Sequence, residues 1–297
     1  MTVSPEDNVT PLSGLLDIPL DLEYIDTGLY RGYPRQPAMP RTFGGEVVAQ
    51  ALRAAGRTVP EDRPVHSLHA YFIRPGDPSE PVLFRVEETR DGGSFTTRRV
   101  VAQQHGVSIL TMTSSFQRRE EGIVHQSPAT DAPPPESFAD PDAALAAMDD
   151  DTRAWFQTLS TLVPVEVRFV DRPLRIAAVR GQPAPLRQRF WLRTRQRLPA
   201  EPLVHACAAA YASDLLLLSA AAAHHGLVVG QPGIQTASLD HAVWFHDAFR
   251  ADDWLLYDQE SHWAGGGRAL CRGLLFNRAG TLVASVTQEG LLRRRRG

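Results

Sequence analysis

A chain that contains the run Tyr211-Ala-Ser-Asp-Leu-Leu-Leu-Leu-Ser-Ala-Ala-Ala-Ala-His-His-Gly226 has to build itself around it. Leu215 to Ala223 is apolar or small on nearly every face of a helix, so neighbouring structure must cover it on most sides. These nine residues are too few to cross a bilayer, which takes about 20. Ser213 or Asp214 is suited to N-cap the helix, because a side-chain oxygen there accepts an orphan backbone N–H. His224 and His225 fall in the last turn, and Gly226 supplies the left-handed residue that ends a helix. The sequence that follows reads as strands, so the expectation is a buried helix wrapped by a sheet.

The rest of the chain supplies the wrapping. Residues 1–20 read as a loose lead-in, and Leu22 to Tyr33 as one or two short strands broken at Gly28 and Gly32. A proline-rich loop follows from Pro34 to Pro40. Val47, Val48, Ala51, Leu52 and Ala55 recur at helical spacing, so Phe43 to Gly56 predicts a helix stopped by Gly56. Strands are predicted over 64–74, 82–89, 95–103 and 107–116, with turns at Asp91-Gly-Gly93 and His105-Gly106. Residues 118–164 change character: Pro133-Pro-Pro135 marks a linker, and a helix over 142–162 carries Trp155, Phe156, Leu159 and Leu162 on one side. Strands resume over 165–170 and 190–195. A helix followed by a run of antiparallel strands is α+β.

The second half repeats the layout of the first. Phe72 and Phe245 are 173 positions apart, and at that offset Tyr71 matches Trp244, Gly92-Gly93 matches Gly265-Gly266, and Arg99 matches Arg272. The helix over 45–56 falls on 218–229, close to the apolar run. The repeat predicts a duplicated domain.

Composition narrows the function. With 43% hydrophobic residues, 22% charged residues and a net charge of −3, the chain has no basic field to draw nucleic acid or an anionic membrane. All 31 positive residues are arginine, so no lysine is present for Schiff-base chemistry. Cys207 and Cys271 lie far apart without metal or disulfide spacing. Neither a signal peptide nor an apolar run of membrane-span length is read, and the expectation is a cytoplasmic protein without stable membrane insertion.

Three residues stand out chemically. Asp214 is a carboxylate at a helix mouth, which either caps the helix or takes a proton from water. Ser238 lies on a strand running from Gln235 to His246 and lacks the G-x-S-x-G elbow of a nucleophile, leaving it a ladder residue or a hydroxyl that holds water. Gln288 shares a strand face with Leu282, Ala284 and Val286, and a buried amide needs partners. Adjacent His224 and His225 point apart on a helix and no His-Glu-x-x-His pattern occurs, so no metal site is read. Gly265-Gly-Gly267 reads as a turn, and Arg293 to Arg296 as a solvated tail.

The segments Tyr-Ala-Ser-Asp214, Ser238-Leu-Asp-His-Ala-Val-Trp-Phe-His246, Val-Thr-Gln288-Glu-Gly, Phe43-Gly-Gly-Glu-Val-Val-Ala-Gln50, His66-Ser-Leu-His-Ala-Tyr-Phe-Ile-Arg-Pro-Gly76 and Asp91-Gly-Gly-Ser-Phe-Thr-Thr-Arg-Arg99 together resemble the acyl-CoA thioesterase II (TesB-type) family, in order and over nearly the whole chain. The resemblance implies an α+β double hotdog: an N-terminal module over 13–117, a linker with a helix over 118–164, and a C-terminal module over 165–297 that carries the active site. It implies hydrolysis of acyl-CoA, of medium to long chain, to free fatty acid and CoA, with no cofactor and no nucleic-acid partner, by a homo-oligomer (dimer or dimer of dimers). The family's catalytic Asp, hydroxyl residue and Gln fall on Asp214, Ser238 and Gln288. Many relatives have Thr where this chain has Ser238. At the 173-residue offset the first module has Arg41 in place of Asp214, so one site is expected. Gly44 and Gly45, at the first helix mouth, are candidate oxyanion or substrate contacts. The alternative is a non-hydrolytic hotdog protein, an acyl-CoA hydratase or binding module. A hydratase wants an Asp–His pair, and Asp240-His241 are strand neighbours that point to opposite faces.

Overall fold

The computed structural model describes residues 19–35, 40–138 and 150–294. Their order is β1 (Glu23–Asp26), β2 (Leu29–Gly32), α1 (Gly44–Gly56), β3 (Val65–Phe72), β4 (Val82–Asp91), β5 (Phe95–Gln104) and β6 (Val107–Gln117). After a 3₁₀ turn at Pro135–Ser137 come α2 (Asp150–Leu162), β7 (Val165–Phe169), α3 (Arg175–Ala178), β8 (Arg187–Thr194), α4 (Pro202–Ser213) and α5 (Leu217–His224). The chain closes with β9 (Ile234–Ser238), β10 (Asp240–Phe245), β11 (Leu255–Gly265), β12 (Arg268–Asn277) and β13 (Leu282–Arg294). The lead-in up to residue 18, most of the proline-rich loop, and 142–149 of the expected linker helix lie outside the described residues.

The strands join into one antiparallel sheet of order β1-β2-β4-β5-β6-β3-β10-β13-β12-β11-β8-β7, with β9 also on β13. Read outward from the centre, the two arms match strand for strand. The 173-residue offset carries the first residues of β4 and β5, Val82 and Phe95, onto Leu255 and Arg268, the first residues of β11 and β12. Where the arms meet, Ser67 opposes Trp244, Tyr71 opposes Asp240, and His69 opposes Ala242, its own counterpart at that offset. A local two-fold therefore passes through the His69–Ala242 pair.

Alternation decides which face is core. Along β5, Thr96, Arg98, Val100, Ala102 and Gln104 are buried and their neighbours are not. The buried faces curl around the helices. α1 lies within the first arm with Val48, Ala51, Leu52 and Ala55 fully buried, and α5 lies against β11, β12 and β13. This is the double hotdog expected from the sequence.

The apolar run differs from its reading in two respects. The helix begins at Pro202 after Glu201, not at Asp214. Proline at the first helical position is pre-set for a helix start, and Val204 to Ala212 are all buried. Asp214 consequently caps the end of α4, not the start of the helix. Counted as one, Pro202–His224 is a 23-residue helix with an 18-residue stretch of mean hydropathy 1.5, long and apolar enough to cross a membrane, which corrects the expectation that no such run exists. Of that stretch, 83% is buried within the fold, wrapped by strands and packed on α1.

The helix is broken at Leu216, whose φ of 61° is left-handed. The break leaves carbonyls without helical partners, and β11 supplies them. The Tyr257 hydroxyl donates to the Ser213 carbonyl at 2.6 Å, and Gln259 Nε2 donates to the Leu215 carbonyl at 2.7 Å. The strand read over 235–246 is likewise split. Ser238 opposes Gly290 on β13, whereas Ala242 opposes Thr287, a shift of one residue centred on Leu239. Arg293 and Arg294 are not a tail but the end of β13, paired with β9, and Arg293 Nε donates to Gln235 Oε1 at 3.0 Å.

Glu46, in the first turn of α1, is 1% exposed and accepts the Arg35 N–H at 2.8 Å. Burial pushes its carboxyl up to about 7. A folded value above the unfolded one means that stability is lost as pH rises through the interval up to about 7. Glu46→Gln keeps an oxygen for Arg35 and has no proton to lose. Melting temperatures across pH 5 to 8 are expected to fall less in the variant than in the wild type; parallel curves would refute this.

Candidate active site

The break in the apolar helix aims a carboxylate at three other elements. Asp214 Oδ1 accepts Gln288 Nε2 at 3.0 Å from β13 and the Ser238 hydroxyl at 3.4 Å from β9. Asp214 Oδ2 accepts the Gly45 N–H at 3.0 Å, at the N-terminus of α1. Gln288 Nε2 also donates to Ser238 Oγ at 2.6 Å. Asp214, Ser238, Gln288 and Gly45, which the sequence scatters over both halves, thus meet at one carboxylate. Gly44 is there too: a Cβ on it would lie 2.8 Å from Asp214 Oδ2 and 3.0 Å from the Phe72 ring.

The bulge at Leu239 makes this convergence possible. Ser238 and His241 are three residues apart, and plain alternation would place them on opposite faces. The extra residue turns both inward, and both reach Gln288: Ser238 through Nε2, His241 through an Nδ1···Oε1 contact of 3.1 Å. Asp240 points away and accepts the Glu289 N–H at 2.7 Å. Asp240 and His241 therefore do not form a pair.

The electrostatics make Asp214 a stronger base than an exposed carboxylate. Burial pushes the Asp214 carboxyl above its ordinary value, against the opposing pull of His241 and of the Gln288, Gly45 and Ser238 hydrogen bonds. Burial pushes the His241 imidazole down, against the pull of Asp214. Burial thus disfavours the charged form of each group. A carboxylate with a raised pKa is a stronger proton acceptor, and Ser238 beside it is partly exposed.

Sequence reasoning missed His241, Tyr257 and Gln259. His241 is fully buried, and its only sequence signal was an ionisable residue on the inward side of an apolar strand. Tyr257 and Gln259 alternate on β11, but nothing in the sequence marks the helix break that they satisfy.

The chain matches the family model described as "Acyl-CoA thioesterase" over residues 159–291 and the model "Acyl-CoA thioesterase N-terminal domain" over residues 34–117. It is 40% identical to acyl-coenzyme A thioesterase 8 of Rattus norvegicus, over 92% of this chain and 87% of that protein. It is 37% identical to acyl-CoA thioesterase 2 of Haemophilus influenzae, over 92% of this chain and 95% of that protein. Among solved structures, the acyl-CoA thioesterase II TesB2 of Mycobacterium marinum superposes with a TM-score of 0.73 at 44% identity, covering 94% of this chain and 96% of that one. With identity at these levels running through both modules, the chain belongs to the acyl-CoA thioesterase family, as a thioester hydrolase.

Proposed function

We propose that the chain hydrolyses acyl-CoA with a water molecule activated by Asp214, Ser238 and Gln288. The observation that carries this is the meeting of an amide, a hydroxyl and a carboxylate from three elements, within 2.6 to 3.4 Å of one another. Asp214 takes a proton from water as the water oxygen bonds to the thioester carbonyl carbon. Ser238 and Gln288 fix the direction of attack. Collapse of the tetrahedral intermediate breaks the C–S bond, and the departing sulfur takes the proton from Asp214. Gly45 N–H is engaged by Asp214, so it sets the base; the adjacent Gly44 N–H, at the positive end of α1, is assigned to the developing oxyanion.

The reading extends to substrate and assembly. Acyl-CoA of medium to long chain is the proposed substrate, supported by the family, and initial rates across chain lengths test it. The division into modules over 13–117 and 165–297 with a linker over 118–164, a homo-oligomeric state (dimer or dimer of dimers) and a cytoplasmic location belong to the same proposal. Tyr71, 62% exposed on the outer face of β3 beside the local two-fold, supports association of copies, and sedimentation measures it.

Gln288 provides the sharpest test of the trio. Gln288→Ala is expected to lower kcat by about tenfold or more and to change KM little, because orienting water matters mainly in the transition state. Gln288→Glu keeps the shape and adds a negative charge beside Asp214, which raises the Asp214 pKa. The base must be ionised, so the acid limb of the pH–rate profile moves to higher pH. Unchanged kcat in Gln288→Ala would leave Asp214 to act without it.

A further inference from the structure

Behind the trio lies a second row of buried polar groups. Ser213 Oγ is 2.7 Å from His241 Nε2 and 2.9 Å from the Ala210 carbonyl, and His241 Nδ1 is 3.1 Å from Gln288 Oε1. Ser213, His241 and Gln288 are all at or below 1% exposure. With no solvent to take up slack, the hydrogens on this row are constrained by the groups themselves.

Begin with an ionised Asp214. Its Oδ1 and Ser238 Oγ both lie within reach of one terminal atom of Gln288, at 3.0 and 2.6 Å. That atom must be the NH₂ group, which donates to both; the carbonyl oxygen there would face a carboxylate. The oxygen Oε1 then faces His241 Nδ1 and needs a donor. A neutral imidazole has one N–H, so Nδ1 carries it and Nε2 is bare. Nε2 can then only accept, so the single hydroxyl hydrogen of Ser213 turns to Nε2 at 2.7 Å and away from the Ala210 carbonyl, the other acceptor within its reach at 2.9 Å. The other neutral tautomer sets a bare Nδ1 against Oε1, and the imidazolium sets a second charge in a site whose burial disfavours it.

We propose that His241 is a positioning residue for hydrolysis: as the neutral Nδ1–H tautomer, fixed by the Ser213 hydroxyl, it locks the Gln288 amide with both hydrogens toward Asp214 and Ser238. The inference rests on the trio proposed above. Without the lock, Gln288 turns over whenever Asp214 is protonated, because a protonated carboxyl donates to Oε1 as readily as the carboxylate accepts from NH₂. The flipped amide then holds the proton on the base and works against the next turnover. The titratable groups whose charges reach this row are Asp214 and Asp240 around His241, with Tyr257 beside Asp214 and Cys271 beside Tyr257; burial raises both Tyr257 and Cys271, away from ionisation.

Two substitutions separate positioning from bulk. In His241→Asn the amide nitrogen takes the place of Nδ1 and still donates to Gln288. In His241→Gln the amide nitrogen takes the place of Nε2, beside Ser213, and the donor to Gln288 is lost. His241→Asn is expected to keep kcat within about threefold and the acid limb of the pH–rate profile in place. His241→Gln is expected to lose about tenfold or more in kcat with KM nearly unchanged, and to move the acid limb to higher pH, since Asp214 loses a donor to its ionised form. A role in packing alone predicts similar losses in both variants, and that result overturns the proposal. A measurement on the unmodified protein stands beside them: ¹⁵N resonances of His241 are expected to report Nδ1–H and a bare Nε2 from pH 6 to 8, and an Nε2–H tautomer or an imidazolium there also overturns it. The tautomer is read without turnover, so its failure is distinct from the failure of the trio, which Gln288→Ala reports.

Discussion

Asp214→Asn is expected to lower acyl-CoA turnover by about 10²-fold or more, the usual loss when a general base is removed. The amide matches the carboxylate in shape but cannot take a proton from water. It also offers one acceptor where the site needs two, for Gly45 N–H on one side and for Gln288 and Ser238 on the other. Stability follows a different course. Because burial raises the folded pKa of Asp214, the folded state binds more protons than the unfolded one over the interval between the two values. Wild-type stability therefore declines as pH rises through that interval, and the Asn variant is spared the decline. Melting temperatures taken beside initial rates should show the variant gaining on the wild type as pH rises through that interval, while remaining slow throughout. Near-normal turnover in the folded variant would reduce Asp214 to the residue that ends α4.

Gly45→Ala is expected to damage both stability and turnover. A Cβ at this position would lie 2.3 Å from the Tyr211 carbonyl oxygen and 2.7 Å from the Phe43 ring. The first is backbone of α4 and cannot swing aside, so α1 and α4 must separate. Overpacking of this kind costs about 1–3 kcal/mol. Separation also draws the Gly45 N–H off Asp214 Oδ2, removing a hydrogen bond that favours the ionised base. Gly44→Ala makes the instructive contrast. Its Cβ meets Asp214 Oδ2 and the Phe72 ring, which are side-chain atoms. It is expected to lose turnover by crowding the carboxylate while melting close to the wild type. Equal melting temperatures for Gly45→Ala and the wild type would show that the two helices have room to part.

Much of this was legible before any coordinates. Strand spacing and the glycine turns expose the duplication because β4, β5, β11 and β12 keep their starting points and register, so one offset suffices for all four. Asp214, Ser238 and Gln288 were visible as polar residues in apolar settings and through the family's motifs. What the sequence hid is set by tertiary contact. Asp214 looked like the start of a helix because Ser-Asp before an apolar run is what a start looks like; a left-handed Leu216 has no such signature, since leucine rarely adopts that conformation. The bulge at Leu239 was invisible for the same reason: alternation over 235–246 continues on paper, and only pairing with β13 shows the slip. His241 reads from the sequence only as the strand neighbour of Asp240, a pairing that its inward side chain does not make.

The place of β13 in the sheet bears on how the protein is born. Among the described residues it is the last strand in sequence, yet it lies inside the sheet between β10 and β12. As the chain leaves the ribosome, β10 and β12 must wait with open edges until β13 is made, and open edges recruit other strands. β13 also brings Gln288, so the trio is incomplete until that strand has entered its slot. A chain stalled or clipped before residue 282 is therefore not a shortened enzyme but an unfilled gap in the middle of a sheet, inactive and inclined to stick to its neighbours. Synthesis itself keeps the hydrolase silent until β13 has emerged.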